Sequence, residues 1–379
     1  MENSPQRKPR ILFLFSDTGG GHRSAAEAII EALCLEYGDE VLIEMLDIFK
    51  ESAPLPLNYL PEWYPQMVRV PEIWGLGFHL SDGHRRARLI TSSTWPYVRH
   101  AVKNMVSSHP CDLIVSVHPL ANTPVLQALG KHRPPYITVV TDLVSAHALW
   151  YDRRTDLCLV PTETARQRAL ENRLKPEQVK VVGLPVADRF CQPPSDKRLL
   201  RQELGWPPDL PMLLLVGGGE GMGPLKKIAR LIAAAELPAG LAIVTGRNRK
   251  LKHYLESYRW PKHTFIYGFV RNMPELMGAA DILLTKAGPG TISEALNAGL
   301  PMILYSRLPG QEDGNVNYVV DEGAGVWAPQ LEQILAGLET WLKSPERLAD
   351  ASKACQRLAR PGAARQIAHI LAEAVGIKP

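Results

Sequence analysis

With 379 residues, 45% of them hydrophobic and 22% charged, the chain is long enough for two domains with separate cores and has the composition of an ordinary globular protein. A formal charge of +4 is too weak to argue for a nucleic-acid partner, though it suits an anionic lipid surface. No apolar run approaches the roughly 18 residues of a spanning helix, and five scattered cysteines without a C-x-x-C pair argue against a zinc or disulfide framework and fit reduced thiols in a cytoplasmic protein.

After a polar start, ILFLFS reads as a first core strand, DTGGGHR as a glycine loop and SAAEAIIEALCLEYG as a helix. Apolar β-rich runs follow at 41–48, 111–119, 135–142 and 157–163, with helical stretches at 121–129 and 163–172, and 179–186 ends this half. Short apolar strands alternating with helices predict a parallel sheet covered on both faces. The run 187–198 reads as a linker, after which the pattern restarts with MLLLVGGGEGMGPLKKIARLIAA and strands at 242–247, 264–270, 281–287 and 301–306. From Pro361 onward, Ile367, Ile370, Leu371 and Val375 fall at helical spacing. The expected fold class is α/β, two Rossmann-like domains facing a cleft: 1–190, then 199–360, with a last helix in 361–379.

The stretch 285–318 carries the strongest chemistry. Gly288, Pro289 and Gly290 turn directly into a helix with Thr291 at its start and Glu294 one turn in. Such a helix start offers free N–H groups and the positive end of a dipole to a phosphate, and the carboxylate can accept from ribose hydroxyls. Beyond the next strand, Gln311, Glu312 and Asn315 belong to a polar loop able to read a hexose. Phosphate, ribose and hexose readers in that order suggest a nucleotide-sugar site. The second glycine loop would let a diphosphate approach through Gly217, Gly218, Gly219, Gly221 and Met222; five glycines in seven residues exceed what a tight turn needs. Phe269 and Val270 could hold a base. Lys286 is either a counter-charge for the leaving diphosphate or a surface lysine at a strand end.

In the first loop, Gly20 and Gly21 would admit an acceptor, and His22 is either a general base or a loop cap. The pattern is neither a P-loop nor a G-x-G-x-x-G fingerprint. Between residues 59 and 97 lie seven aromatic residues, Trp63 and Trp74 among them, and 83–111 holds Arg85, Arg86, Arg88, Arg99 and Lys103 without one acidic residue. Aromatics beside an acid-free basic run suit an anionic membrane surface; a packed insertion with a solvated basic helix is the plainer alternative.

In DTGGGHRSAAEAI, TDLVSAHALWYD, VGLPV, GGGEGMGPL, GFVRNM, TKAGPGTISEAL and PGQEDGNVNYV, the chain resembles the monogalactosyldiacylglycerol synthases of glycosyltransferase family 28. More distantly it is similar to the N-acetylglucosaminyl transferase of lipid II synthesis. The resemblance implies a GT-B fold, a last helix packed on the N-terminal domain, and inverting transfer from a UDP-hexose to diacylglycerol. It implies His22 as base, Gly288 to Thr291 as the diphosphate turn, Glu294 as ribose ligand, Gln311 and Glu312 as sugar readers, and Trp150 near the reacting centre. Plant members carry a longer N-terminal region, and SAHALWYDRRTD only partly matches theirs. Galactose is the expected sugar, with glucose or a polyprenyl-linked acceptor as alternatives, then a UDP-sugar epimerase or a non-enzymatic membrane subunit. With no Asp-x-Asp in the chain, neither a metal nor any other cofactor is expected beyond the UDP-sugar itself. The expected place is the cytoplasmic side of the cell membrane, as a peripheral protein.

Overall fold

The computed structural model describes residues 7–377 apart from Gly19, Ser52, Val68, Arg69 and Pro194, so the first six residues of the tail and one glycine of the first loop lie outside it. The chain divides into two units. One comprises Met1–Asp188, Leu308–Gln311 and Gly362–Pro379, the other Arg189–Arg307 and Glu312–Pro361.

In the first unit, β1 (Arg10–Phe15), β2 (Leu42–Asp47), β3 (Leu113–Ser116), β4 (Tyr136–Val139), β5 (Leu157–Val160) and β6 (Val179–Val181) form a parallel sheet in the order β2-β1-β3-β4-β5-β6. Strands β3 and β4 are buried along their whole length, as apolar runs without alternation require. Helix α1 (Gly21–Tyr37) follows β1. Its Ala25, Ala28, Ile29, Ala32 and Leu33 recur at helical spacing and form the buried face. Three helices, α2 (Leu60–Met67), α3 (Pro71–Ser81) and α4 (His84–Ser108), replace the usual single crossover between β2 and β3. The run 111–119 is strand only to Ser116, because Pro119 opens α5 (Pro119–Leu129), a position where its missing N–H costs nothing. Helix α6 (Glu163–Glu171) follows β5.

The second unit opens with α7 (Lys197–Glu203), which takes the end of the expected linker because the Asp196 side chain caps it through the N–H groups of Arg198 and Leu199. Strands β7 (Met212–Val216), β8 (Gly240–Val244), β9 (Thr264–Tyr267), β10 (Ile282–Lys286), β11 (Met302–Ser306) and β12 (Gly325–Trp327) pair in parallel in the order β12-β11-β10-β7-β8-β9. Its helices are α8 (Leu225–Ala234), α9 (Arg249–Glu256), α10 (Met273–Ala279), α11 (Pro289–Asn297), α12 (Asp313–Asp321), α13 (Leu331–Lys343) and α14 (Pro345–Leu358). The β10–β11 register skips Tyr305, since Thr285 pairs with Leu304 and Lys286 with Ser306. Such a bulge re-aims the strand end where the glycine turn begins.

Helix α15 (Ala363–Ala374) belongs to the first unit. Ile367, Ala368 and Leu371 share one core with Ile29 and Leu33 of α1, and the alanines on both helices permit close approach. Leu371 is fully buried there. Leu371→Ala is expected to cost about 2–5 kcal/mol by loss of burial and creation of a cavity, read as a lower urea midpoint for the first unit. An unchanged midpoint would mean that α15 does not stabilise this core.

Candidate active site

Each sheet reverses its winding direction once, between β1 and β3 in the first unit and between β7 and β10 in the second. Ligands of open parallel sheets bind outside the carboxyl ends of strands at such points, and the sequence candidates cluster there.

On the first unit, α1 starts from Gly20, whose φ of 75° is the left-handed conformation that glycine supplies without strain. His22 lies in the first turn with its ring half-buried. Its Nδ1 is 2.8 Å from Oγ1 of Thr141, just past β4. It is therefore not a loop cap. Its ring meets His118 edge-on at 4.6 Å and lies 5.9 Å from Trp150. Burial lowers the His22 pKa, while the Asp142 carboxylate and the Val117 backbone pull it back up. His118 is held more firmly neutral by burial and then by the nearby His22. Its Nδ1 accepts from the Leu120 N–H at 3.3 Å, so its Nε2 carries the hydrogen and donates to Thr18 Oγ1 at 3.1 Å. The loop is anchored by Asp17, which receives Arg23 and Lys50, each at 2.5 Å. Chiefly through the Arg23 bond, and against its own burial, the Asp17 pKa is lowered to about 2.

Asp142 is buried beside this centre. Its Oδ2 accepts from the Trp150 indole at 2.6 Å and its Oδ1 from the Gln311 amide at 3.1 Å. Trp150 is thus an interior residue with no exposed surface, 5.9 Å from the His22 ring. Gln311 groups with the first unit, whereas Glu312 and Asn315 group with the second. Thr141, Asp142 and His118 were missed by sequence reasoning. The signal available was that each stands at the end of an apolar strand run.

The helical excursion divides the aromatic candidates. Trp63 is exposed and stacks on Tyr59. Trp74 turns inward, edge-on to Tyr64 at 5.4 Å, with its indole nitrogen buried. Gly75 beside it packs against Pro309. Arg85 is exposed. Arg86 spends one nitrogen on the carbonyls of His79 and Asp82 at the end of α3. Along α3, Ile73, Leu76 and Leu80 are 69%, 61% and 64% exposed, and Leu89 of α4 adds to this apolar surface. Sequence reasoning fixed on the aromatics and missed these aliphatic residues, whose i, i+3, i+7 spacing was the available signal.

On the second unit, Lys286 extends between the two glycine turns. A Cβ on Gly218 would lie 3.7 Å from its Cε, and one on Gly288 would lie 3.3 Å from its Nζ. The ammonium also bonds Glu312 at 2.9 Å, and this partly buried pair answers the alternative of a surface lysine. Gly288 caps α11, whose first position is Pro289. The early N–H groups of Gly290 and Thr291 therefore lack partners within the helix. Burial pushes the Glu294 pKa up to about 7, with Arg189 opposing, so near neutrality this carboxyl both donates and accepts. Phe269 is exposed after β9, with the Arg247 guanidinium 4.7 Å from its ring centre, and Val270 is half-buried beside it.

One expectation changes here. The abundance of glycine in 217–223 does not itself require a ligand. Gly221 has φ 58° and a Cβ on it would fall 2.1 Å from the Thr245 carbonyl oxygen, while Gly223 has φ 95°. The N–H groups of Gly221 and Met222 close the loop on the carbonyls of Gly218 and Gly217, so they face inward; Gly219 is exposed. Asn315 and Glu312 are both buried. The Asn315 amide donates to the Ala287 carbonyl at 2.9 Å and the Glu312 carboxylate accepts from Lys286 at 2.9 Å, so both brace the glycine turn at 288–290. Among the described residues no group of three or more His, Cys, Asp or Glu stands where it could hold a metal ion, and no helix is long and apolar enough to cross a membrane.

Two parallel-sheet units with helix-start and glycine-turn sites at their switch points define a GT-B fold. The same architecture occurs in Acinetobacter baumannii MurG, at a TM-score of 0.64 and 15% identity over 96% of this chain and 99% of that one. It occurs also in S. aureus MnaA, solved with UDP, at a TM-score of 0.63 and 13% identity over 98% of both chains. The family model for monogalactosyldiacylglycerol synthase matches residues 22–186, and that for the glycosyltransferase family 28 C-terminal domain matches 212–367. Monogalactosyldiacylglycerol synthase 1, chloroplastic, of Arabidopsis thaliana is 36% identical over 97% of this chain and 72% of its own. The chain belongs to the monogalactosyldiacylglycerol synthase family and is a glycosyltransferase.

The expected station on the cytoplasmic side of the cell membrane is corrected by this relationship, since the relative is named chloroplastic. Basic charge and aromatic residues speak to the chemistry of a lipid surface, not to which membrane presents it.

The pH dependence of stability follows from these groups. His22 and His118 both have folded pKa values below 6.5, so the unfolded chain takes up protons first as pH falls through 6.5. The first unit is expected to lose stability from that point downward. A second loss, from Asp17, begins near 3.8 and runs toward 2. Urea midpoints at pH 7.5, 6.5 and 5.5 for the wild type and His118→Gln check the first window, where the variant's dependence should be shallower. Equal dependence would remove His118 from the balance.

Proposed function

We propose that this enzyme transfers galactose from UDP-galactose to the free hydroxyl of 1,2-diacylglycerol with inversion, giving a β-galactosyl diacylglycerol. The observation that supports it most is His22, held by Thr141 in a water-poor site where its imidazole stays neutral. With the Nδ1 hydrogen donated to Thr141, Nε2 keeps its lone pair. It takes the hydroxyl proton as the acceptor oxygen bonds to the anomeric carbon, and the bond from that carbon to the diphosphate oxygen breaks, its electron pair leaving with UDP. Lys286 and the N–H groups of Gly290 and Thr291 then face the charge that develops on the diphosphate. Glu294 suits the ribose hydroxyls, and the exposed Phe269 ring with Val270 suits the uracil. This arrangement assigns the counter-charge to the protein, and turnover is expected to persist with a chelator present.

His22→Ala should lower turnover on the order of 10²-fold or more, with UDP affinity nearly intact by calorimetry. Undiminished turnover would remove His22 from the mechanism. The assay mixes purified enzyme with diacylglycerol in anionic liposomes and supplies UDP-galactose or UDP-glucose in parallel. Galactolipid from the first donor alone supports the reading, and glucolipid would reassign the donor.

The acceptor lies in a bilayer, so we further propose that α3, with Trp63 and Arg85 nearby, meets an anionic lipid surface. Ile73, Leu76 and Leu80 supply apolar area, and the acid-free stretch after Gly83 supplies positive charge. A triple variant with serine at these three positions should lose most sedimentation with anionic vesicles while keeping its UDP affinity. Full co-sedimentation would place the lipid contact elsewhere.

A further inference from the structure

We propose that the apolar pocket between α4, α5 and the segment 48–57 receives part of one acyl chain of the acceptor, an inference that rests on diacylglycerol being the acceptor. Every residue lining it is apolar, among them Phe49 and Leu57 from that segment, Val102 and Met105 from α4, and Ala121 and Val125 from α5. Met105, Ala121 and Val125 also belong to the core beneath, so the pocket floor is fixed by packing that the fold needs in any case.

What identifies the occupant is the pocket's continuity with the base. Phe49 meets His118 edge-on at 5.6 Å, and His118 meets His22 edge-on at 4.6 Å. The three rings form one packed wall, buried at His118, and the pocket begins two ring contacts from the imidazole. In a 1,2-diacylglycerol, five bonds separate the free hydroxyl oxygen from the first methylene of the neighbouring chain, roughly 6 Å when extended. A hydroxyl at His22 thus sends that chain along the wall toward Phe49.

The size fits a chain segment. The cavity holds about 70 Å³. On the same measure a water needs about 10–15 Å³, and a methylene is of nearly water size, so the cavity accepts roughly five to seven methylenes. A longer chain would leave its remainder in the lipid. A pocket whose lining side chains are all apolar also suits a chain better than a polar headgroup.

The test is chain-length dependence. Transfer from UDP-galactose to dibutanoyl, dihexanoyl, dioctanoyl and didecanoyl glycerol would be measured with wild type, Ala121→Phe, which fills the pocket, and Leu57→Trp, which narrows it from a half-buried position. KM for the acceptor should fall about fourfold at most per added buried methylene, then level off near the octanoyl chain. In both variants the fall should flatten, with KM for dibutanoyl glycerol and UDP affinity unchanged. Retained turnover with dibutanoyl glycerol, which needs His22, reports folding of the first unit, and Leu57→Trp serves should Ala121→Phe fail to fold. Chain-length slopes parallel to wild type in a folded variant would overturn the pocket while leaving the acceptor reading intact. No transfer to any diacylglycerol by the wild type would overturn the acceptor reading, and the pocket's ligand with it.

Discussion

A parallel strand ends with its last carbonyl and the following N–H groups pointing away from the sheet, and where the winding direction reverses the loops on either side part and leave room between them. Both units use this constraint. In the first, the ends of β1, β3 and β4 bring together His22, His118 and Thr141, residues separated by up to 119 positions in the chain, through one hydrogen bond and one edge-on ring contact. In the second, the ends of β7 and β10 set two glycine turns on either side of Lys286. None of these residues has the backbone freedom to reach its partners alone, and the sheet order brings them together.

The two halves then manage charge in opposite ways. Around His22, rings and buried groups keep the imidazole neutral, and Asp142, tied by Trp150 and Gln311, is the nearby carboxylate that limits how far its basicity falls. The second unit instead concentrates positive character. A helix start, an ammonium and oriented N–H groups face one turn, and Glu312 holds the ammonium in position. These contrary environments sit in units with separate cores, so each is kept by its own packing.

Much of this was legible in the sequence because it is local. The glycine turns, the helix starts behind them and His22 each lie within a few residues of an apolar strand run, and the spacing of Ile367, Ile370 and Leu371 announced the last helix. What was not legible depends on partners distant in the chain. Nothing near Thr141 says that it faces His22. Trp150 and Trp74 resemble Trp63 in sequence, yet the first is tied to Asp142 in the interior and the second sits beside Gly75 where α3 packs on Pro309. Nothing near Asn315 says that its amide donates to the Ala287 carbonyl. Counting glycines also misled, because Gly221 and Gly223 answer to backbone conformation and crowding before any ligand enters.

The helical excursion after β2 joins an exposed aliphatic surface and the surroundings of His22 in one stretch of chain. One side of α3 exposes Ile73, Leu76 and Leu80, and its other side is bonded inward. Phe78 meets His147 edge-on at 4.9 Å, and Ser81 lies 3.1 Å from the same imidazole. Because His147 Nδ1 accepts from the Leu149 N–H, its Nε2–H is the donor to Ser81. Asp82, just past the helix, accepts from the Ala148 N–H at 2.9 Å and pairs with Arg168. The segment so gripped ends in Trp150, whose indole holds Asp142. Helix α3 is thus tied by hydrogen bonds and one ion pair to the segment that carries Trp150. Short-range bonds of this kind transmit position rather than charge, so a displacement of α3 would reach Trp150 and Asp142 without adding or removing a charge beside His22.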